Sequence, residues 1–265
     1  MKQRILGAAI LVVLLVPALI IGGTLFKAVV ALIACGSVYE LIKTTNKKAP
    51  TFIYVLGMLS VLFYIFIEEI KSSIGAEPLF MYPNVYISLI ALVLLVPCLF
   101  VRDKYGANDA IKLIGITILL GEGFTAINRF YFGFNIYYLL FIVFIAVTTD
   151  VFALFGGMLI GKHKLTPISP KKTIEGSVVG LICCTIITTT YYMIAIKESP
   201  LYVIIPIIMV LSIVGQMGDL FFSLIKREND TKDYSHLIPG HGGLLDRFDS
   251  LLFIALALNV ISEFL

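Results

Sequence analysis

Residues 223–249, SLIKRENDTKDYSHLIPGHGGLLDRFD, lie between two strongly apolar runs and place 11 Asp, Glu, Lys, Arg or His side chains among 27 residues. Only 14% of the whole chain is charged, while 59% is hydrophobic and the mean hydropathy is +1.01. Charge so concentrated marks the place to look for chemistry. Carboxylates can hold a hard cation, and Lys or Arg can hold phosphate oxygens.

Outward from this segment, apolar runs of about 18 to 24 residues recur, each long enough to cross a hydrocarbon core. They predict an all-α polytopic integral membrane protein with nine transmembrane helices near residues 5–22, 24–42, 51–70, 84–101, 110–129, 136–160, 174–196, 201–222 and 244–264. The expectation is one membrane domain over 1–265, with scaffold helices in 1–130 and the catalytic helices and loops in 131–265. Positive charge favours the cytoplasmic side. With nine crossings, sixteen of the 20 basic residues fall on one side, among them Lys2, Lys48, Lys172, Lys226 and Arg247. Lys27, Lys71, Arg129 and Lys197 fall on the other. The N-terminus and the 223–249 segment are therefore expected to face the cytoplasm, across the cell inner (plasma) membrane. The first span has Lys2 and Arg4 ahead of it like a secretory signal, but it is long for one and no A-x-A-like site follows, so a retained anchor is expected.

The net charge of +3 is small, and the basic residues sit where membrane lipids and anionic nucleotides would meet them. No nucleic-acid partner is implied. Cys35, Cys98, Cys183 and Cys184 lie within apolar runs with no zinc-like spacing and read as packing residues. Small residues on membrane helices allow a homodimer.

Four polar clusters stand on the expected cytoplasmic side. In Thr148-Thr149-Asp150, followed by Gly156, Gly157 and Gly161, the Asp faces either a cavity or a neighbouring helix, and the glycines fit close packing. In Ser169-Pro170-Lys171-Lys172-Thr173-Ile174-Glu175-Gly176, Ser169 and Pro170 read as a helix start whose amides suit a phosphate, and Glu175 requires a partner, a nearby Lys first. The alternative is a capped helix with topogenic lysines. In the third cluster, Gln216, Asp219, Ser223, Lys226, Arg227 and Asp230 follow one another, and the residues from Asp219 onward share one face of a helix leaving the membrane. A solvated face would explain the outer residues but not Gln216 and Asp219. The fourth, Pro239 to Ser250, has a glycine turn around His241, then Asp246 and Asp249 three apart on one helical face, with Arg247 off that face.

Ser223-x-Ile225-Lys226-Arg227, Lys232-Asp233-x-Ser235 and Ile238-Pro239-x-His241-Gly242-Gly243-Leu244-x-Asp246-Arg247-Phe248-Asp249 together resemble the signature of the phosphatidate cytidylyltransferases, the CDP-diacylglycerol synthases. Asp150, the Ser169–Gly176 segment and Gly218-Asp219 fit the same family, so the resemblance covers about residues 145–255. Leu154 departs from it, standing where the family has an aromatic such as Tyr. The resemblance implies CTP and phosphatidic acid as substrates, CDP-diacylglycerol and pyrophosphate as products, and Mg²⁺, with room for a second, monovalent cation. Asp219, Asp246 and Asp249 are then the expected metal cluster, with Asp150 an outer or second-metal member. Lys171, Lys172, Lys226, Arg227 and Arg247 are the expected phosphate-binding groups, with Lys226 and Arg247 counted among the catalytic residues. Ser169, Thr173, Glu175, Ser223, His241, Gly242 and Gly243 complete the expected substrate site, His241 either donating to phosphate or capping its own turn. A transporter would more often show paired halves with interrupted helices. A prenyltransferase or phosphatase would show D-D-x-x-D or a His phosphoenzyme motif, and neither occurs.

Overall fold

A computed structural model describes residues 2–74, 83–235, 237–238, 240 and 242–264. Among the described residues ten α-helices follow one another: α1 (Lys2–Ile21), α2 (Gly23–Thr45), α3 (Thr51–Ile65), α4 (Ile67–Ile74), α5 (Pro83–Leu95), α6 (Ala107–Arg129), α7 (Ile136–Ile160), α8 (Ile174–Ala195), α9 (Leu201–Glu228) and α10 (Leu245–Ser262). Among the described residues the only extended pairings are the isolated bridges Lys164 to Thr173 and Ile238 to Gly242. Among the described residues five helical stretches, Gly23–Thr45, Ala107–Phe134, Ile136–Ile160, Ile174–Ala195 and Leu201–Glu228, are long and apolar enough to cross a membrane. Large apolar side chains such as Leu159, Ile186 and Ile194 stand exposed on them, an arrangement that suits hydrocarbon and not water.

Three expected boundaries move. The 51–70 run breaks at Phe66, which closes α3 before the acidic first turn of α4. The 84–101 run ends in a 3₁₀ turn, Val96–Leu99, at Pro97, whose nitrogen has no hydrogen to donate to a helix. The helix expected to start at Ser169-Pro170 starts at Ile174 instead. Thr173 is its N-cap and accepts from the Gly176 amide at 3.1 Å, while the preceding chain turns through a Lys172 N–H to Ser169 carbonyl bond of 3.0 Å.

The chain divides into two compact units, Met1–Thr125 with Asp233–Asp246, and Ala126–Lys232 with Arg247–Leu265. In the first, Tyr64 is fully buried and donates to Glu122 at 2.5 Å, and a Cβ on Gly121 would come within 2.7 Å of the Tyr64 ring. In the second, α7 and α8 approach so closely that a Cβ on Gly176 would lie 2.5 Å from the Ala153 carbonyl, and one on Gly180 2.8 Å from that of Thr149. The glycines are packing positions, and the contact they allow sets Asp150 of α7 beside the loop that leads into α8.

Candidate active site

The loop between α7 and α8 closes on itself. The Leu165 amide donates to the Lys172 carbonyl at 2.9 Å and the Ile174 amide to the His163 carbonyl at 2.9 Å. Glu175 holds the base of this loop: it accepts from the Lys162 and His163 amides at 3.1 and 3.2 Å, and its Oε1 lies 2.5 Å from His163 Nδ1. The expected lysine partner of Glu175 is thus replaced by a histidine and two backbone amides, which lie nearer in the turned chain.

The loop, α7 and α9 enclose a cavity of about 340 Å³ lined by Asp150, Gly157, Ser169, Lys171, Lys172, Thr173, Ser177, Gln216 and Asp219, with Ala153, Leu154 and Met158 as its apolar part. Leu154, the position that departs from the family pattern, is largely exposed and forms part of that apolar wall. Lys172 makes an ion pair with Asp219, joining the loop to α9 across 47 residues of sequence. The Ser223 hydroxyl lies 3.4 Å from the other Asp219 oxygen. Gln216, at 3.4 Å, donates to the Ser177 carbonyl.

Below Asp219, α10 contributes Asp249, which is buried and accepts from the Ser250 amide at 2.7 Å. The Ser250 hydroxyl in turn lies 3.4 Å from Asp150. Asp150, Asp219 and Asp249 are close enough to act on one another electrostatically, and Lys172 and Lys226 lie within the same field. Lys226 is buried on α9, one turn beyond Ser223. Arg227 is exposed and donates to the Thr231 carbonyl at 3.0 Å and, more weakly, to that of Ile168 in the loop. The polar stripe on α9 therefore ends with Arg227; Asp230 lies past the helix end with a φ of 53°.

Asp246 is held in the first unit, where its Oδ2 accepts from the Tyr234 amide at 3.1 Å and the Gly243 amide at 2.9 Å. Gly242 has a φ of 84° and Gly240 one of 74°, so both turn positions demand glycine. The amides of Leu244 and Leu245 donate to Glu40 of α2. The amides of Gly243, Leu244 and Leu245, where the turn passes into α10, are thus taken up by two carboxylates of the protein itself. Arg247 is exposed on the first turn of α10, and His241 lies outside the described residues. Sequence reasoning passed over Glu40 and gave Ser250, the last residue of the fourth cluster, no role. The only signal for Glu40 was a lone acid in an apolar run.

Among the described residues no three His, Cys, Asp or Glu side chains form a ready-made metal cage. A Mg²⁺ ion is commonly held by one or two carboxylates together with substrate phosphates and water. The neighbouring Asp150, Asp219 and Asp249 supply that donor chemistry, with cationic groups at hand for the phosphates.

The chain is 34% identical to the phosphatidate cytidylyltransferase of Staphylococcus haemolyticus, over 98% of both chains. It is 32% identical to that of Staphylococcus saprophyticus and 30% identical to that of Staphylococcus aureus, each again over 98% of both chains. Residues 2–265 match the family described as the cytidylyltransferase family. With Asp150, Lys171, Lys172 and Asp219 meeting in one cavity, and the likeness extending over nearly the whole chain, the protein belongs to the cytidylyltransferase family.

Proposed function

We propose that this chain transfers the cytidylyl group of CTP to phosphatidic acid, giving CDP-diacylglycerol and pyrophosphate. An oxygen of the lipid phosphate attacks the α-phosphorus of CTP. A new P–O bond forms, the bond from the α-phosphorus to the α–β bridging oxygen breaks, and the pyrophosphate leaves with that electron pair. The lipid phosphate is already anionic near neutral pH, so the protein's work is alignment and stabilisation of charge on the leaving group.

Lys171 and Lys172, with the Ser169 and Thr173 hydroxyls, line the cavity as phosphate ligands, and Glu175 holds their loop in shape. Lys226, Arg227 and Arg247 add positive charge for the triphosphate, and Ser223 steadies Asp219. Mg²⁺ held by Asp219, Asp249 and Asp150 would neutralise the triphosphate and the departing pyrophosphate. Asp246 joins that set on its sequence spacing alone, three residues ahead of Asp249, and a monovalent cation is the proposed second ion. Nine crossings with a cytoplasmic N-terminus would turn the site to the cytoplasm of the inner membrane, where CTP is found, and a homodimer is the proposed assembly.

The observation that carries this reading is the cavity in which Lys171, Lys172, Asp150 and Asp219 meet beside exposed apolar Leu154 and Met158, in a member of this family. In mixed micelles, the purified protein is expected to form CDP-diacylglycerol and pyrophosphate in equal amounts from CTP and phosphatidic acid, and to stop when EDTA removes Mg²⁺. Pyrophosphate release indifferent to phosphatidic acid would sink it. For the orientation, single cysteines placed at Lys48 and Lys232, in a chain lacking its four native ones, should be labelled only from the cytoplasmic face.

A further inference from the structure

Glu40 is fully buried on α2, and both of its carboxylate oxygens serve as acceptors. Oε1 receives the Ser235 hydroxyl at 2.5 Å and the Leu244 amide at 2.9 Å, and Oε2 receives the Leu245 amide at 2.9 Å. A buried carboxylate is costly unless such donors surround it, and negative charge at a helix N-terminus is favourable. Here the acid that caps α10 comes from a helix some 200 residues earlier, as the separations of 195, 204 and 205 residues record.

The fit around it is tight. A Cβ on Gly243 would lie 2.6 Å from Glu40 Oε2, and one on Gly36, a turn before Glu40 on the same face of α2, would lie 2.5 Å from Leu244 Cδ1. Gly36 and Glu40 thus form a socket that admits the 243–245 backbone and the Leu244 side chain. The next residue is Asp246, whose Oδ2 reaches back to the Gly243 amide and across to that of Tyr234. Three consecutive amides, those of Gly243, Leu244 and Leu245, are held by two acids, and the position of Asp246 follows from where Glu40 holds the turn.

We propose that Glu40 is a positioning residue for the cytidylyl transfer: its carboxylate fixes the Gly243–Leu245 backbone and thereby the orientation of Asp246. The inference rests on the function proposed above. Glutamine at position 40 would turn an N–H₂ towards donors, whereas aspartate keeps both acceptors on a shorter stem. Glu40→Gln is expected to lower kcat by about tenfold or more per monodisperse protein, with the KM for phosphatidic acid changed less than about twofold, and Glu40→Asp should regain part of the loss. Hydrogen exchange at the Leu244 and Leu245 amides, followed without nucleotide, should quicken in Glu40→Gln. Gly36→Ala, which presses on Leu244 and alters no polar group, should lower kcat in the same manner and serves if Glu40→Gln does not accumulate. A Glu40→Gln or Gly36→Ala protein with unchanged kcat would overturn the proposal, as would a loss of thermal stability alone. If wild-type protein made no CDP-diacylglycerol, the proposed function would fail while the exchange data still reported whether Glu40 holds the turn.

Discussion

Asp219 and Glu40 are both acids set in apolar helices, and their surroundings differ in kind. Asp219 is partly exposed to a cavity and faces the side chains of Lys172 and Ser223. Glu40 has no exposure, and two of its three donors are backbone amides. Side chains can re-pair when a charged ligand arrives, whereas backbone amides at a helix start cannot leave without moving the helix. An acid that meets side chains across a cavity is therefore suited to ligand chemistry, and one surrounded by amides is suited to holding geometry.

The largest effect expected from this contrast is at the cavity. Asp219→Asn and Asp249→Asn should each reduce turnover by about a thousandfold or more, the scale of lost transition-state charge stabilisation, while the folded protein remains extractable. Near-normal rates for both at saturating Mg²⁺ would remove the distinction between the two kinds of acid. Next comes the other half of the ion pair. Lys172→Ala should cost on the order of 1.5–3 kcal/mol in kcat/KM for CTP or phosphatidic acid, the scale of a charge-assisted hydrogen bond, and Lys48→Ala, outside every cluster, almost nothing. Equal small effects would reduce the α7–α8 loop to a capped helix start. The smallest change is expected where polar groups only hold helices together. Thr149 and Ser212 share a buried hydroxyl contact of 2.8 Å between α7 and α9, so Ser212→Ala should cost about 1–3 kcal/mol of stability, seen as a lower Tm, with kcat unchanged.

The helices were legible because apolar runs of membrane length carry their own signal, and α7 occupies the expected 136–160 without change. Asp219 was legible as a residue type out of place in such a run, and Lys171 and Lys172 as paired charges just ahead of one, and they meet in one cavity. Two features were hidden for a physical reason. The start of α8 depends on which of several capping residues wins, and Thr173 wins over Ser169 because the loop before it closes on Glu175 and His163. Glu40 depends on partners far away in sequence, and no local pattern encodes a donor that arrives from residues 235–245.

That separation bears on how the chain matures. Loop closure over 204 residues costs only slightly more than over 100, by about 0.6 kcal/mol for the doubling, so the native contact loses little from its length. Timing is another matter, because synthesis proceeds at about 5–20 residues per second. For some ten seconds or more after α2 is made, the donors that satisfy Glu40 do not yet exist, and a lone acid must wait within an otherwise apolar helix. The first unit can reach its final packing only once its 233–246 segment has been synthesised. A chain cut after α9 would keep that acid without any of the three donors, a buried charge with nothing to satisfy it.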